Sequence, residues 1–210
     1  MKTICFTKKD LESFEGEVEN LVDAESLYVL SRGVGENYFS SSPVLSIAVG
    51  CGGSAYEGTI IRAFHKMRLG LNGEQLNIIG CDKREIEDCT KTQDYDLYFG
   101  GEKGDAKEHS IWLKGVNHFN SLYNFVFMNH PTVPNFDEWF QIYKRSLSFV
   151  DRKGVIATIV EGLEDRNYLR ELSSILERDS MVESRMEYFC RTDGLLGPRE
   201  ITFLELRRGE

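Results

Sequence analysis

Three glycines and one carboxylate stand at spacings that could hold a ligand. Gly50, Gly52 and Gly53 follow an apolar run (Leu45, Ile47, Val49), and a helical pattern begins just beyond them. Glycines between a buried strand and a helix let a ligand approach the backbone where side chains would block it. The helix that follows points its unpaired N–H groups at whatever sits there. A second apolar run, residues 76–81, ends in Asp82. Strand, glycine turn, helix, strand, acid is the layout of a nucleotide-type site, with the acid placed to accept hydrogen bonds from a ribose. A third apolar run, residues 125–128, ends in Asn129-His130-Pro131. His130 is a candidate base there, since an unperturbed imidazole titrates near pH 6.5.

The elements that must position these groups follow from periodicity. Leu11, Phe14, Val18, Leu21 and Val22 recur at helical spacing, which predicts a helix over residues 8–30. Pro43 biases the approach to the first strand towards extended geometry. Ile60, Ile61, Phe64, Met67 and Leu71 mark one helix face, stopped by Gly70 and Asn72-Gly73. A charged segment, residues 83–91, predicts a further helix, and residues 95–99 a third strand. Residues 100–106 form a glycine-rich charged loop. After the apolar fourth strand, Asn135 and Glu138 have capping-box spacing ahead of a helix lined by Phe136, Trp139, Phe140, Tyr143, Leu147 and Val150. Asp151-Arg152-Lys153-Gly154 reads as a turn into a fifth strand, residues 155–160. Leu169, Leu172 and Leu176 mark another helix. The runs 186–190 and 201–206 have no helical pattern between them and so should pair antiparallel. The expected fold class is α/β: a doubly wound, Rossmann-like, three-layer sheet of mostly parallel strands with a C-terminal antiparallel hairpin.

Composition narrows the function. The chain has 210 residues, 25 Lys and Arg against 34 Asp and Glu, and a net charge of −9. A domain that grips nucleic acid by releasing counterions normally presents a basic face, and only isolated basic pairs such as Lys8-Lys9 occur, so no nucleic-acid partner is expected. Five cysteines without C-x-x-C spacing read as reduced thiols. No run approaches the ~20 apolar residues of a membrane span, and a cytoplasmic protein is expected. His65, His109 and His118 have no spaced acidic or cysteine partners, so no metal site is expected.

Order and spacing over residues 40–210 resemble the class I S-adenosylmethionine (SAM)-dependent methyltransferases. Ala48-Val49-Gly50-Cys51-Gly52-Gly53-Ser54 looks like that family's first motif, and Asp82 matches its ribose acid. Gly104-Asp105-Ala106 resembles its segment beside the adenine, and residues 122–127 its fourth-strand motif, with Asn124 where Asp is usual. The final hairpin resembles the family's C-terminal signature. The resemblance implies SAM as cofactor, held by Gly50, Cys51, Gly52, Gly53, Ser54, Glu57, Asp82, Lys83, Asp105, Ala106 and Asn129. Ala48 stands where the family carries an acid that helps hold the methionine amino group, and Glu57 is the substitute at hand. Asn129 and His130 are then the candidate catalytic pair, facing a small-molecule acceptor ahead of a protein one. Asn129-His130-Pro131-Thr132 is not the Asn-Pro-Pro-Tyr motif associated with amine methylation of bases and glutamine. One domain is expected, with residues 1–43 a helical cap and 44–210 the SAM-binding core.

Two other readings use the same residues. Gly50-x-Gly52-x-x-Ala55 also satisfies the dinucleotide fingerprint of a nicotinamide-binding oxidoreductase. The absence of any Tyr-x-x-x-Lys pair and the hairpin ending count against it. Ala48 and Asn124, each lacking an acid, also suit a SAM-fold protein that binds without catalysis.

Overall fold

The computed structural model describes residues 3–18, 20–35, 43–50, 56–70, 75–84, 94–129, 136–180, 182–194 and 198–209. Eight strands form one sheet: β1 (Thr3–Phe6), β2 (Val44–Val49), β3 (Leu76–Cys81), β4 (Leu97–Phe99), β5 (Tyr123–Asn129), β6 (Val150–Glu161), β7 (Val182–Arg191) and β8 (Arg199–Arg208). Their order is β1-β7-β8-β6-β5-β2-β3-β4. Only β8 runs against its neighbours, β6 and β7; the remaining pairs are parallel. All six residues of β2 are buried, as a parallel strand covered on both faces requires.

Among the described residues, six helices cover the two faces: α1 (Lys8–Glu15), α2 (Leu21–Gly33), α3 (Glu57–Leu69), α4 (His109–Phe119), α5 (Phe136–Phe149) and α6 (Leu163–Ser180). Strand alternation divides the core accordingly. Val44, Ala48, Phe125 and Phe127 pack with Leu11, Leu27, Leu30 and Phe64 from α1–α3. Leu45, Ile47, Val126 and Met128 pack with Trp112, Tyr143, Leu169 and Leu172 from α4–α6. The three-layer, mostly parallel architecture with its closing hairpin is the one expected.

Five details differ from expectation. The single helix over residues 8–30 is two, because Gly16 caps α1 and Asn20 starts a new N-terminus by accepting from the Val22 and Asp23 N–H groups at 2.9 and 3.0 Å. β1 precedes them and pairs with β7, so the N-terminal segment contributes a strand as well as helices. Helix α4 was not expected, since Gly115 interrupts its apolar pattern; a Cβ there would lie 2.0 Å from the Tyr123 hydroxyl, so close packing selects glycine against propensity. β6 starts at Val150, and its expected turn, residues 151–154, is strand with a register shift opposite Tyr123 and Phe125. Gly104 closes a short 3-10 helix, Gly101–Gly104, in place of an open loop. The helix expected beyond Arg84 and the Asn135 cap fall outside the described residues.

Candidate active site

The carboxyl ends of β2, β3, β4 and β5 lie side by side in the parallel part of the sheet, where open α/β sheets bind ligands. Backbone geometry at three points makes a cradle there. Gly50 leaves β2 with φ +71°, a conformation that favours glycine, and donates its N–H to the Cys81 carbonyl at 2.8 Å. Asp82 donates its N–H to the Phe99 carbonyl at 3.1 Å, tying the ends of β3 and β4. Gly104 packs directly on both: a Cβ would sit 2.1 Å from the Asp82 carbonyl oxygen and 2.4 Å from that of Phe99. Asp82 and Asp105 are thereby brought to one edge by backbone contact alone.

Ionic contacts organise the same edge. The Asp82 side chain is only 5% exposed, and Arg84 answers it: its backbone N–H donates to Oδ1 at 2.7 Å, Nε to Oδ1 at 3.1 Å and Nη2 to Oδ2 at 3.4 Å. Asp105 closes its own turn by accepting from the Lys107 N–H at 3.0 Å. Its Oδ2 lies 3.8 Å from Lys83 Nζ and 3.5 Å from Lys107 Nζ, and both lysines also pair with Glu138 of α5. Ala106 is buried, and its carbonyl accepts from the Trp112 indole at 2.7 Å. Lys83, Gly101, Glu102, Asp105 and Glu108 line an open pocket of about 340 Å³.

A second polar group forms at the ends of β2 and β5. Glu57, in the first turn of α3, is buried, and its Oε2 has no hydrogen-bond partner. Asn129 lies beside the Glu57 carboxyl, which its carboxamide favours in the ionised form, and its Oδ1 accepts from Ser26 Oγ of α2 at 3.2 Å. Burial, reinforced by the charges of Asp23 and Asp82, pushes the Glu57 carboxyl up to about 8. Asp23, Ser26 and Arg84 were missed from the sequence. Arg84 stands two residues after the acid, whereas Asp23 and Ser26 merge into an ordinary helix pattern.

Of the expected site residues, Gly50, Asp82, Lys83, Asp105 and Ala106 lie around the β2–β4 end. Glu57 and Asn129 meet beside it. Cys51, Gly52, Gly53, Ser54 and His130 fall outside the described residues. The two missing acids have structural explanations. Ala48 is packed in the core beneath α1–α3, where an ionised side chain would be costly. Asn124 sits near the amino end of β5, and its Oδ1 accepts from the Leu45 N–H at 2.9 Å, binding β5 to β2 far from the candidate site. Other titratable groups are occupied by packing. His65 is fully buried against Phe64 and Phe125, its Nδ1 is 2.9 Å from the Ile61 carbonyl, and burial depresses its pKa to about 4. Burial pushes the Cys81 thiol up to about 12, which removes it as a nucleophile. Among the described residues no cluster of His, Cys, Asp or Glu is arranged to hold a metal, and no helix is long and apolar enough to cross a membrane.

The chain matches no protein-family model and none of the curated proteins. Solved structures do match. A precorrin-6y C5,15-methyltransferase from Geobacter metallireducens is 14% identical over 89% of each chain, with a TM-score of 0.54. A putative class I SAM-dependent methyltransferase from Listeria monocytogenes is 10% identical, covering 97% of this chain and 66% of its own, at 0.57. The fold is that of the class I methyltransferases. The plantazolicin methyltransferase, solved with a triazolic desmethylPZN analog and S-adenosylhomocysteine (SAH), is 10% identical over 96% of this chain and 91% of its own, at 0.56. The closing hairpin places β8 between β6 and β7, and β1 forms the sheet edge beside β7.

Proposed function

We propose that the protein is a SAM-dependent methyltransferase acting on a small-molecule acceptor. The observation that carries this reading is the backbone cradle of Gly104 on Asp82 and Phe99, which sets two carboxylates, Asp82 and Asp105, beside the positive-φ Gly50. A nucleoside suits that set of acceptors. Asp82 offers two acceptor oxygens to a ribose diol, and Asp105 with Ala106 faces the adenine side, with Lys83 holding Asp105. Gly50, where the chain leaves β2 with positive φ, is assigned to the amino-acid half of the cofactor. In this reading residues 44–210 are the cofactor core and residues 1–43 cap it through α2.

When bound, SAM supplies a methyl group on a positive sulfur, already activated for in-line displacement. The chain's own work is alignment and exclusion of water, which in well-oriented systems contributes ~7–11 kcal/mol. Asn129, with its carboxamide fixed between Ser26 and Glu57, orients the acceptor. His130, next in the chain, is the proposed base for an acceptor that carries a proton, a role worth roughly 10²–10⁴-fold. Two of the structural neighbours are a precorrin-6y methyltransferase and a plantazolicin methyltransferase, which is in keeping with a small-molecule acceptor. The net charge of −9 argues against a polyanionic one. A crystal structure of the SAH complex tests the assignment. The adenosine is expected between Gly50, Asp82 and Asp105, and density for it elsewhere would overturn the reading.

A further inference from the structure

Two free cysteines face each other at the sheet edge remote from β4. Cys5 of β1 is the in-register partner of Cys190 of the parallel neighbour β7. Alternation puts both side chains on one face. Ile4 and Phe6 of β1 and Phe189 of β7 pack towards α1–α3, so Cys5 and Cys190 project to the other side. Tyr188 shares that side and accepts from Arg170 of α6 at 3.1 and 3.2 Å. Adjacent strands stand about 4.7–4.9 Å apart, inside the ~4.4–6.8 Å Cα separation of disulfides. The register is also pinned. The Thr192 N–H donates to the Phe6 carbonyl at 3.0 Å, and the Lys8 N–H donates to Asp193 Oδ2 at 2.6 Å. Phe6 stacks on Tyr28 of α2 at 4.8 Å. A one-residue slip would break these contacts and turn Cys5 to the opposite face. Cys5 is exposed and Cys190 half-buried, whereas Cys81 is enclosed in the core.

We propose that Cys5 and Cys190 are a modification site, oxidised by a small-molecule disulfide (RSSR) to a reversible bond that fastens β1 to β7. The exposed Cys5 meets the oxidant first. Its thiolate attacks one sulfur of RSSR, forming Cys5–S–SR and expelling RS⁻. The Cys190 thiolate then attacks the Cys5 sulfur, and a second RS⁻ leaves. Two protein thiols and one RSSR thus give one protein disulfide and two RSH, with the thiol protons on the departing sulfurs. Burial, then the charges of Cys5 and Glu200, raise the Cys190 pKa. Cys190 therefore suits the second, intramolecular step, where proximity compensates for a small thiolate fraction. The bond has a mechanical consequence. β1 is a four-residue edge strand that leads directly into α1 and α2, so a tie at Cys5 holds the start of those helices against the hairpin. It also closes nearly the whole chain into one loop, the case in which a disulfide restricts the unfolded chain most. Exposure on the Cys5 side leaves the bond open to reducing thiols, which makes it reversible. The site is independent of the methyltransferase reading.

Oxidised glutathione added to the full chain is the probe. Free thiols are then alkylated, the chain is digested without reduction, and the peptides are identified by mass. A linked Cys5–Cys190 peptide is expected, lost on adding dithiothreitol and absent from Cys5→Ser and Cys190→Ser. Oxidation should raise Tm by roughly 4–16 °C and slow amide exchange over Thr3–Phe6, and reduction should reverse both. Glutathione retained on Cys5 with no linked peptide, a Cys5–Cys5 bond between two copies, or Cys5 joined to another cysteine overturns the proposal. A linked protein whose Tm does not rise and whose β1 exchange does not slow overturns it as well. The wild-type map needs no variant, so it decides the question even where a serine variant fails to fold.

Discussion

Replacing Asp82 by Asn changes one charge and almost no volume, so it isolates the proposed ribose contact. The Asp82 N–H to Phe99 carbonyl bond is backbone and survives, as does the seat of Gly104 on the Asp82 carbonyl. A hydrogen bond to a charged group is worth about 1.5–3 kcal/mol, and a carboxamide keeps one neutral acceptor in place of two charged oxygens. Arg84 reduces the net loss. Its side chain is 68% exposed and its Nη2 to Oδ2 contact is long at 3.4 Å, so displacing it costs no more than about 1 kcal/mol. SAH affinity should therefore fall by about 1–2.5 kcal/mol in Asp82→Asn, roughly 5- to 60-fold. Arg84→Ala should move the other way, tightening SAH by up to about fivefold because the competitor is removed. Isothermal titration of both variants, with circular dichroism to establish folding, reads the two signs. Asp82→Asn binding within twofold of wild type, or Arg84→Ala weakening binding as much as Asp82→Asn, would refute the ribose assignment.

Three further outcomes follow from packing and charge. Gly104→Ala forces a methyl group into two carbonyl oxygens, so stability should drop by ~1–3 kcal/mol, lowering Tm by roughly 2–12 °C at ~2–4 °C per kcal/mol; an unchanged Tm with unchanged SAH binding would contradict the cradle. His65 is neutral in the fold, with its pKa depressed to about 4, while in the unfolded chain it protonates below about 6.5. The stability it confers is therefore present above pH 6.5 and is lost between pH 6.5 and 4, on the order of 2–3 kcal/mol. Urea unfolding at pH 7, 5.5 and 4.5 should show that slope in the wild type and a shallower one in His65→Leu. Glu25 of α2 is buried and holds both Arg191 and Arg199 of the hairpin. Glu25→Ala should cost about 2–4 kcal/mol, below the full penalty for a broken buried pair because both arginines keep some solvent, and a loss under 1 kcal/mol in denaturant melts would show the network to be dispensable.

The doubly wound core was legible because parallel strands covered on both faces carry near-continuous apolar runs, as Ile47-Ala48-Val49 of β2 and Phe125-Val126-Phe127-Met128 of β5 do. Gly50 at the end of β2, Asp82 at the end of β3 and the hairpin spacing were legible for the same kind of local reason. What escaped depended on contacts distant in sequence. β1 has only four residues, and its first three are not fully buried, so no periodicity marks it. Gly115 hides α4 because the Tyr123 hydroxyl, not helix propensity, selects it. Asn124 looked like a lost acid, yet its bond to the Leu45 N–H makes it a strand tie. The Glu57, Asn129, Ser26 and Asp23 group needs α2, α3 and β5 to be packed before it exists, and no spacing within one element announces it.

Parallel calorimetric titrations with SAH and with NAD⁺ test the central claim most directly. The cradle of Gly50, Asp82, Gly104 and Asp105 is read as a site for the nucleoside of SAM. SAH should bind at one site per chain, with affinity reduced in Asp82→Asn, while NAD⁺ at the same concentration gives no saturable heat. Saturable binding of NAD⁺ that Asp82→Asn weakens, with no binding of SAH, would contradict it.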